Sequence, residues 1–470
     1  MERLELGGTV GNPLSRRKLL GIAAGGAAGA ALPAPAWAIG DQRPGAVRPP
    51  VLTADDRSVA GQVSARRGLE HLRVLSERIG PRVSGTPAEN RAADWIAGVL
   101  DSLGYDTTTQ PFAAEDIALG SLGAPGGLPA DLGWQVGATE SGALDTTVRG
   151  AVVDAGTGAP EGYPDDVTGR IVLIDFPWVE DPDVLAGTAV ARGAAAIVFV
   201  SNDHLDHSLA PAFPPWLANP VPIPVVGAGQ PQKHRLRALL AAGALPELTV
   251  STRMHRGLTS YNVLAERAHG TGDGPVVMVS AHYDTVIGSP GANDDGSGTV
   301  LTLELARVLR HLPVNATLRF ALWGSEESGL VGSRHYVAGL PQRERDRIVA
   351  VFQNDMVATS WDPAIRYWLL SLAGEPNRST DEVVAAASRL GYTPHLSAVT
   401  ERGASDHASF QEVGIAAANF SWRGEDDGWI VLEPPYHSPE DTITHNISLE
   451  RLQVSMELIA SAAYATARNP

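Results

Sequence analysis

The chain has 470 residues, of which 44% are hydrophobic and 19% charged, with no cysteine and a formal net charge of −17. That length supports two or three folded units, and the lack of cysteine excludes disulfides, thiolate nucleophiles, iron-sulfur clusters and Cys-ligated zinc, so any metal must be held by His, Asp or Glu. The acidic balance repels phosphate backbones and anionic lipid, which argues against nucleic acid or a membrane surface as the main partner.

In chain order, Ser15-Arg16-Arg17-Lys18 precedes a weakly apolar run from Leu19 to Leu32 and then Ala36-Trp37-Ala38. This pattern predicts a twin-arginine signal peptide over residues 1–38 and a secreted or periplasmic, cell-envelope destination. The apolar run is too short and too rich in glycine to cross a bilayer, so no membrane anchor is expected. Residues 39–56 are Pro-rich and read as a linker. A first folded segment, 57–131, holds helical patterns at Val63 to Ile79 and Pro87 to Leu103, separated by Gly80-Pro81-Arg82 and Ser84-Gly85-Thr86. Its end, Glu115 to Ala130, is rich in Gly and Ala and shows little pattern.

Residues 132–252 change texture to short β-like runs at Gly150 to Val153, Arg170 to Asp175, Ala194 to Val200 and Val221 to Val226, with helix-like stretches at Asp183 to Arg192 and Lys233 to Ala242. They read as a self-contained insert. Residues 253–470 then repeat strand, loop, helix. Nearly continuous apolar runs lie at Tyr261 to Ala265, Val276 to Ala281, Thr317 to Trp323, Ile348 to Gln353 and Ile415 to Trp422, and amphipathic stretches at Ser297 to His311, Thr380 to Leu390 and Ser448 to Ala467. This alternation predicts an α/β fold with a mostly parallel central sheet flanked by helices. No internal repeat, G-x-G-x-x-G or P-loop pattern is present.

The chemistry lies where these strands end. The runs lead into His282-Tyr283-Asp284, Ser325-Glu326-Glu327, Asn354-Asp355 and, beyond Trp422, Tyr436-His437-Ser438-Pro439-Glu440-Asp441-Thr442, while Asn293-Asp294-Asp295 precedes a helix. Open α/β sheets bind ligands outside the carboxyl ends of their strands. His282, Asp294, Glu327, Asp355 and His437 make five candidate ligands, too many for one tetrahedral ion and suited to two ions bridged by a carboxylate. Asp284, two residues after His282, is placed to accept the ring N–H not used for metal, which leaves Glu326 as the spare carboxylate for proton transfer. Singly, each motif has an ordinary reading: a helix cap for Asp294-Asp295, a solvated pair for Glu326-Glu327, a surface residue for either His. Asp203, His204, Asp206 and His207 have metal-like content but read as a surface loop of the insert. Trp361, Phe410, Trp422 and Trp429 lie near the motif loops, where core packing is the ordinary role of any one of them.

Taken together, these motifs resemble the M28 family of co-catalytic zinc exopeptidases, from Gly80-Pro81-Arg82 through His282-Tyr283-Asp284, Glu326-Glu327 and Ser405-Asp406-His407 to Tyr436-His437. The resemblance implies a phosphorylase/hydrolase-like zinc exopeptidase fold, and an insert similar to a protease-associated domain. It implies two Zn2+, with Co2+ or Mn2+ as substitutes. Asp294 would bridge them, His282 and Asp355 would complete one site, and Glu327 and His437 the other. It further implies Glu326 as general base, Asp284 as outer partner of His282, Tyr436 as oxyanion donor, and, in some members, a cis peptide corresponding to Asp294-Asp295. Some members carry Arg directly before Ser-Asp-His; here that position is Ala404, with Arg402 two positions earlier. The expected activity is an aminopeptidase acting on peptides through a metal-activated water. A carboxypeptidase using Arg402 or Arg423, a one-zinc glutaminyl cyclase-like acyl transferase, and a binding module with a dead site are the alternatives. The oligomeric state is left open.

Overall fold

The structure is a computed structural model that describes residues 51–164, 166–177, 181–201 and 211–470. The signal segment 1–38, most of the linker, and Asp203, His204, Asp206 and His207 lie outside the described residues. The last linker residues are helical: Ala54–Ala60 starts on a capping box in which Thr53 and Asp56 satisfy each other's backbone N–H.

In chain order, β1 (Asp106–Ala113) precedes seven strands, β2 (Ile117–Gly123), β3 (Gln135–Ala138), β4 (Thr146–Asp154), β5 (Ile171–Asp175), β6 (Ala196–Val200), β7 (Val225–Ala228) and β8 (Glu247–His255). Eight more follow: β9 (Thr259–Arg267), β10 (Val276–His282), β11 (Thr317–Trp323), β12 (Ile348–Asn354), β13 (Arg366–Ser371), β14 (Leu396–Glu401), β15 (Ala417–Asp426) and β16 (Trp429–Val431). Strands β2 to β8 close into a barrel in the order β2-β3-β7-β6-β5-β4-β8, and the others form one sheet in the order β1-β9-β11-β10-β12-β15-β13-β14, with β16 on β15.

The centre of the sheet, β11-β10-β12-β15, is parallel; its flanks β1-β9, β9-β11 and β15-β13 are antiparallel. Every residue of β10 is buried, which is why its sequence is continuously apolar rather than alternating. The helices Gly296–Leu309 and Leu449–Arg468 cover the sheet with largely buried surfaces. Trp323, Tyr336 and Phe410 cluster with ring centroids 5.1 to 6.1 Å apart. Trp422 packs on Tyr367 and donates Nε1–H to Ser455. Phe410 and Trp422 are therefore core residues, whereas Trp429 is 77% exposed.

The barrel starts upstream of the expected boundary at residue 132. It leaves and re-enters the large sheet between β1 and β9, which pair antiparallel in register from Asp106↔Glu266 to Ala113↔Thr259, so it occupies the loop of a long hairpin. Strand β2 escaped the pattern because its small residues belong to a tight wall: a Cβ on Gly120 would meet Val226 at 2.8 Å and Val136 at 3.0 Å. The barrel touches the rest of the fold where Gly288 N–H donates to Gln135 Oε1 at 3.0 Å, in the loop that leads to Asp294.

Candidate metal centre

Parallel β10, β11 and β12 end side by side and deliver His282, the Glu326-Glu327 turn and Asp355 to one crevice, which Asp294, Arg402, Ala404, Arg423, Tyr436 and His437 also line. His282 Nε2 lies 3.2 Å from Asp294 Oδ1 and 3.9 Å from Asp355 Oδ1. His437 Nε2 lies 3.2 Å from Asp294 Oδ2 and 3.1 Å from Glu327 Oε2. Two ligand groups result, His282-Asp294-Asp355 and Asp294-Glu327-His437, with Asp294 common to both. All five predicted ligands are thus brought together.

The donor set suits borderline divalent cations. Asp355 Oδ1 and Glu327 Oε1 are buried and receive no hydrogen bond from the protein, as expected of oxygens kept for a cation. Burial alone would raise the Asp294 carboxyl, but hydrogen bonds from His282 and His437 hold it far below the usual carboxylate range. Burial would lower His437, yet Glu327 and Asp294 push it up to about 10. Glu326 belongs to neither ligand group. Burial drives its carboxyl well above the ordinary range, reinforced by Glu327, Asp406 and Asp355.

The fold fixes these groups through backbone contacts. Asp284 accepts the N–H of Glu326 at 2.9 Å and of Glu327 at 3.1 Å, while its Oδ1 stands 3.5 Å from His282 Nδ1. Its strong contacts are therefore to the Glu326-Glu327 turn, and its contact with the imidazole is long for a hydrogen bond. Glu89 extends this clamp, accepting Ser325 N–H at 3.1 Å, Ser260 Oγ–H at 2.7 Å and Gly85 N–H at 2.6 Å. Burial, with Asp284 adding repulsion, pushes Glu89 up to about 8.

Asp295 caps the helix Gly296–Leu309 through Gly298 N–H and also accepts the N–H of His282 and of Met356, so the ordinary cap reading of this pair holds for Asp295 while Asp294 faces the crevice. The peptide between them is cis. Asp441 accepts the N–H of Asn293 and Asp294, and Glu433 accepts the side-chain amides of Asn293 and Asn446. Ser325, Met356 and His437 all have left-handed φ, between 55° and 61°, in the segments that aim these side chains. Such backbone costs energy in a residue with a Cβ and persists where its surroundings fix it. Tyr436 stacks on His437 with ring centroids 3.7 Å apart.

Arg82 ties the loops together. It is fully buried, and its guanidinium donates to the carbonyls of Tyr283, Leu75, Gly80, Pro290 and Gly291. Burial lowers it to about 10, against the pull of Asp441, Asp284, Asp295 and Asp294. Arg82→Met is expected to destabilise the protein by on the order of 3–5 kcal/mol, because buried carbonyls lose their donors beside an acidic cluster. Arg82→Lys, with three donors and no planar fork, should recover part of that loss. Denaturant unfolding of both variants checks this order, and wild-type stability in Arg82→Met would refute it.

Sequence reasoning missed Glu89, Glu433 and the role of Arg82, since their partners lie far away in the chain: Ser325 N–H for Glu89, the Asn293 amide for Glu433, and the carbonyls of Tyr283, Pro290 and Gly291 for Arg82. Ser405-Asp406-His407 supplies no ligand: His407 Nε2 contacts Arg402 O at 2.7 Å, and Asp406 accepts from Gln353 at 3.2 Å.

Comparison with known proteins gives the family. The profile of Peptidase family M28 matches residues 262–463. Aminopeptidase YwaD of Bacillus subtilis is 37% identical over 404 residues, covering 85% of this chain and 84% of that protein. The solved structure of a zinc aminopeptidase from Bacillus subtilis superposes with a TM-score of 0.61 at 35% identity, covering 86% of this chain and 95% of the other. An aminopeptidase from Aneurinibacillus sp. strain AM-1 gives a TM-score of 0.54 at 30% identity, over 88% and 96% of the two chains. With this relationship spanning most of both sequences, the chain belongs to peptidase family M28.

Proposed function

We propose that the protein is an exported aminopeptidase with two zinc ions. The observation that carries this reading is Asp294, whose two oxygens face two different imidazoles and serve two ligand groups at once. His282, Asp294 and Asp355 would hold one ion, and Asp294, Glu327 and His437 the other. When bound, two such cations acidify a water and polarise the scissile carbonyl.

Glu326 takes the proton of the attacking water and returns it to the departing amine, a task suited to a carboxyl that lines the crevice and belongs to neither ligand group. Asp284 and Glu89 hold the turn that aims Glu326, through the N–H groups of Ser325, Glu326 and Glu327. The Tyr436 phenol lines the crevice, placed to donate a hydrogen bond to the oxyanion. Glu326, the crevice carboxylate outside both ligand groups, favours a substrate with a free α-amine. The paired arginines of Ser15-Arg16-Arg17-Lys18 support export by the twin-arginine route. The closed barrel at 117–255 supports the reading of a protease-associated insert.

The test is a substrate pair, Leu-p-nitroanilide and its N-acetyl derivative, together with a C-terminally free N-acetyl peptide. Only the unblocked anilide should turn over. Cleavage of the blocked peptide from its carboxyl end would assign a carboxypeptidase instead.

A further inference from the structure

Two arginines share the crevice with the ligand groups. Arg423 lies on β15, and its side chain is 2% exposed. Its Nε–H donates to Ser421 Oγ at 3.0 Å, its Nη2 stands 3.9 Å from Asp355 Oδ2, beyond hydrogen-bond distance, and its Nη1 finds no acceptor in the protein. Arg402 is fixed by its backbone, with N–H on Ser371 O at 2.8 Å and its carbonyl against His407 Nε2 at 2.7 Å, yet its buried Nε also finds no acceptor. Burial and the charge of Arg423 both lower the Arg402 pKa, so the two cations repel each other.

Other deep arginines of this protein are used fully. Arg82 meets five carbonyls, Arg451 bonds the carbonyls of Thr359, Trp361 and Asp362, and Arg319 pairs with Glu266 and Tyr336. A buried donor left without an acceptor carries an uncompensated desolvation cost, and mutual repulsion adds to it. One planar anion placed between the two guanidiniums removes both.

We propose that Arg402 and Arg423 read a substrate carboxylate, namely the C-terminal carboxylate of a dipeptide. The proposal rests on the aminopeptidase reading. In a dipeptide the carboxylate is two bonds from the scissile nitrogen, so a substrate whose scissile bond reaches the ligand groups carries its carboxylate within about 4 Å of that nitrogen, in the crevice the two arginines line. The same chemistry could come from an acidic side chain on the second residue, and the experiment separates the two sources.

The wild-type holoenzyme is assayed on Leu-Leu, Leu-Leu-amide and Leu-Asp-amide, and then as Arg402→Gln, Arg402→Lys and Arg423→Gln. Leu-Leu should exceed its amide in kcat/KM by about tenfold or more, chiefly through KM. That ratio should fall towards one in Arg402→Gln and Arg423→Gln and be intermediate in Arg402→Lys. Preference for Leu-Asp-amide over Leu-Leu would assign the pair to an acidic side chain. Equal kcat/KM for all three substrates in wild type, or an equal loss on all three in Arg402→Gln, would overturn the proposal. Calorimetric binding of Leu-Leu and Leu-Leu-amide to the Glu326→Gln holoprotein gives a readout independent of turnover. Discrimination there without cleavage of any unblocked substrate by wild type would leave the arginine pair standing and remove the aminopeptidase reading.

Discussion

Replacing Glu326 by Gln is expected to lower kcat by on the order of 10²–10⁴ while leaving the metal content unchanged. The amide keeps the size of the side chain but cannot accept a proton. The backbone of residue 326 remains held by Asp284 at 2.9 Å, so the turn that also carries Glu327 keeps its place. Glu326 lies outside both ligand groups, which separates this variant from every ligand substitution. Elemental analysis and steady-state kinetics on one preparation check both halves. Hydrolysis at the wild-type rate would show that the proton is taken by another group.

The second large effect concerns Asp294. Asp294→Ala is expected to remove both ions and all measurable turnover, because one side chain faces His282 Nε2 and His437 Nε2, each at 3.2 Å. It also leaves those imidazoles beside Asp355 and Glu327 without the carboxylate between them. His437→Ala should remove one ion and leave His282, Asp294 and Asp355 holding the other. Metal counts after dialysis distinguish the two variants. Equal loss of a single ion in both would mean that Asp294 serves one site only.

Much of this centre was legible because its ligands sit at strand ends. Thr317–Trp323 was read at the bounds it has in the structure, and the apolar runs before His282 and Asp355 end where β10 and β12 deliver those residues. A continuous apolar run needs cover on both faces, so the polar residue that ends it falls at the rim of the sheet, where the crevice lies. The edge strands gave weaker signals. β1 reads Asp-Thr-Thr-Thr-Gln-Pro-Phe-Ala and is recognisable only through its pairing with β9, since an edge strand tolerates polar residues and Pro111. β14, at the other edge, likewise owes its place to parallel pairing with β13.

The support of the site was hidden for a similar reason. Glu89 looks like an ordinary acid in the first turn of the helix Pro87–Ser102, where a negative charge suits the helix dipole. Its partner Ser325 lies far away in sequence, and no local pattern records that contact. Asp284 was read as the companion of His282 because spacing along a strand relates those two side chains. The two amides it holds more tightly belong to a different strand end.

Whether two ions share Asp294 and together support hydrolysis is answered by titrating the metal-depleted protein with Zn2+ and following bound metal and Leu-p-nitroanilide turnover in parallel. Saturation is expected at two equivalents per chain, with full activity reached only as the second binds. Saturation at one equivalent with full activity would contradict such sharing.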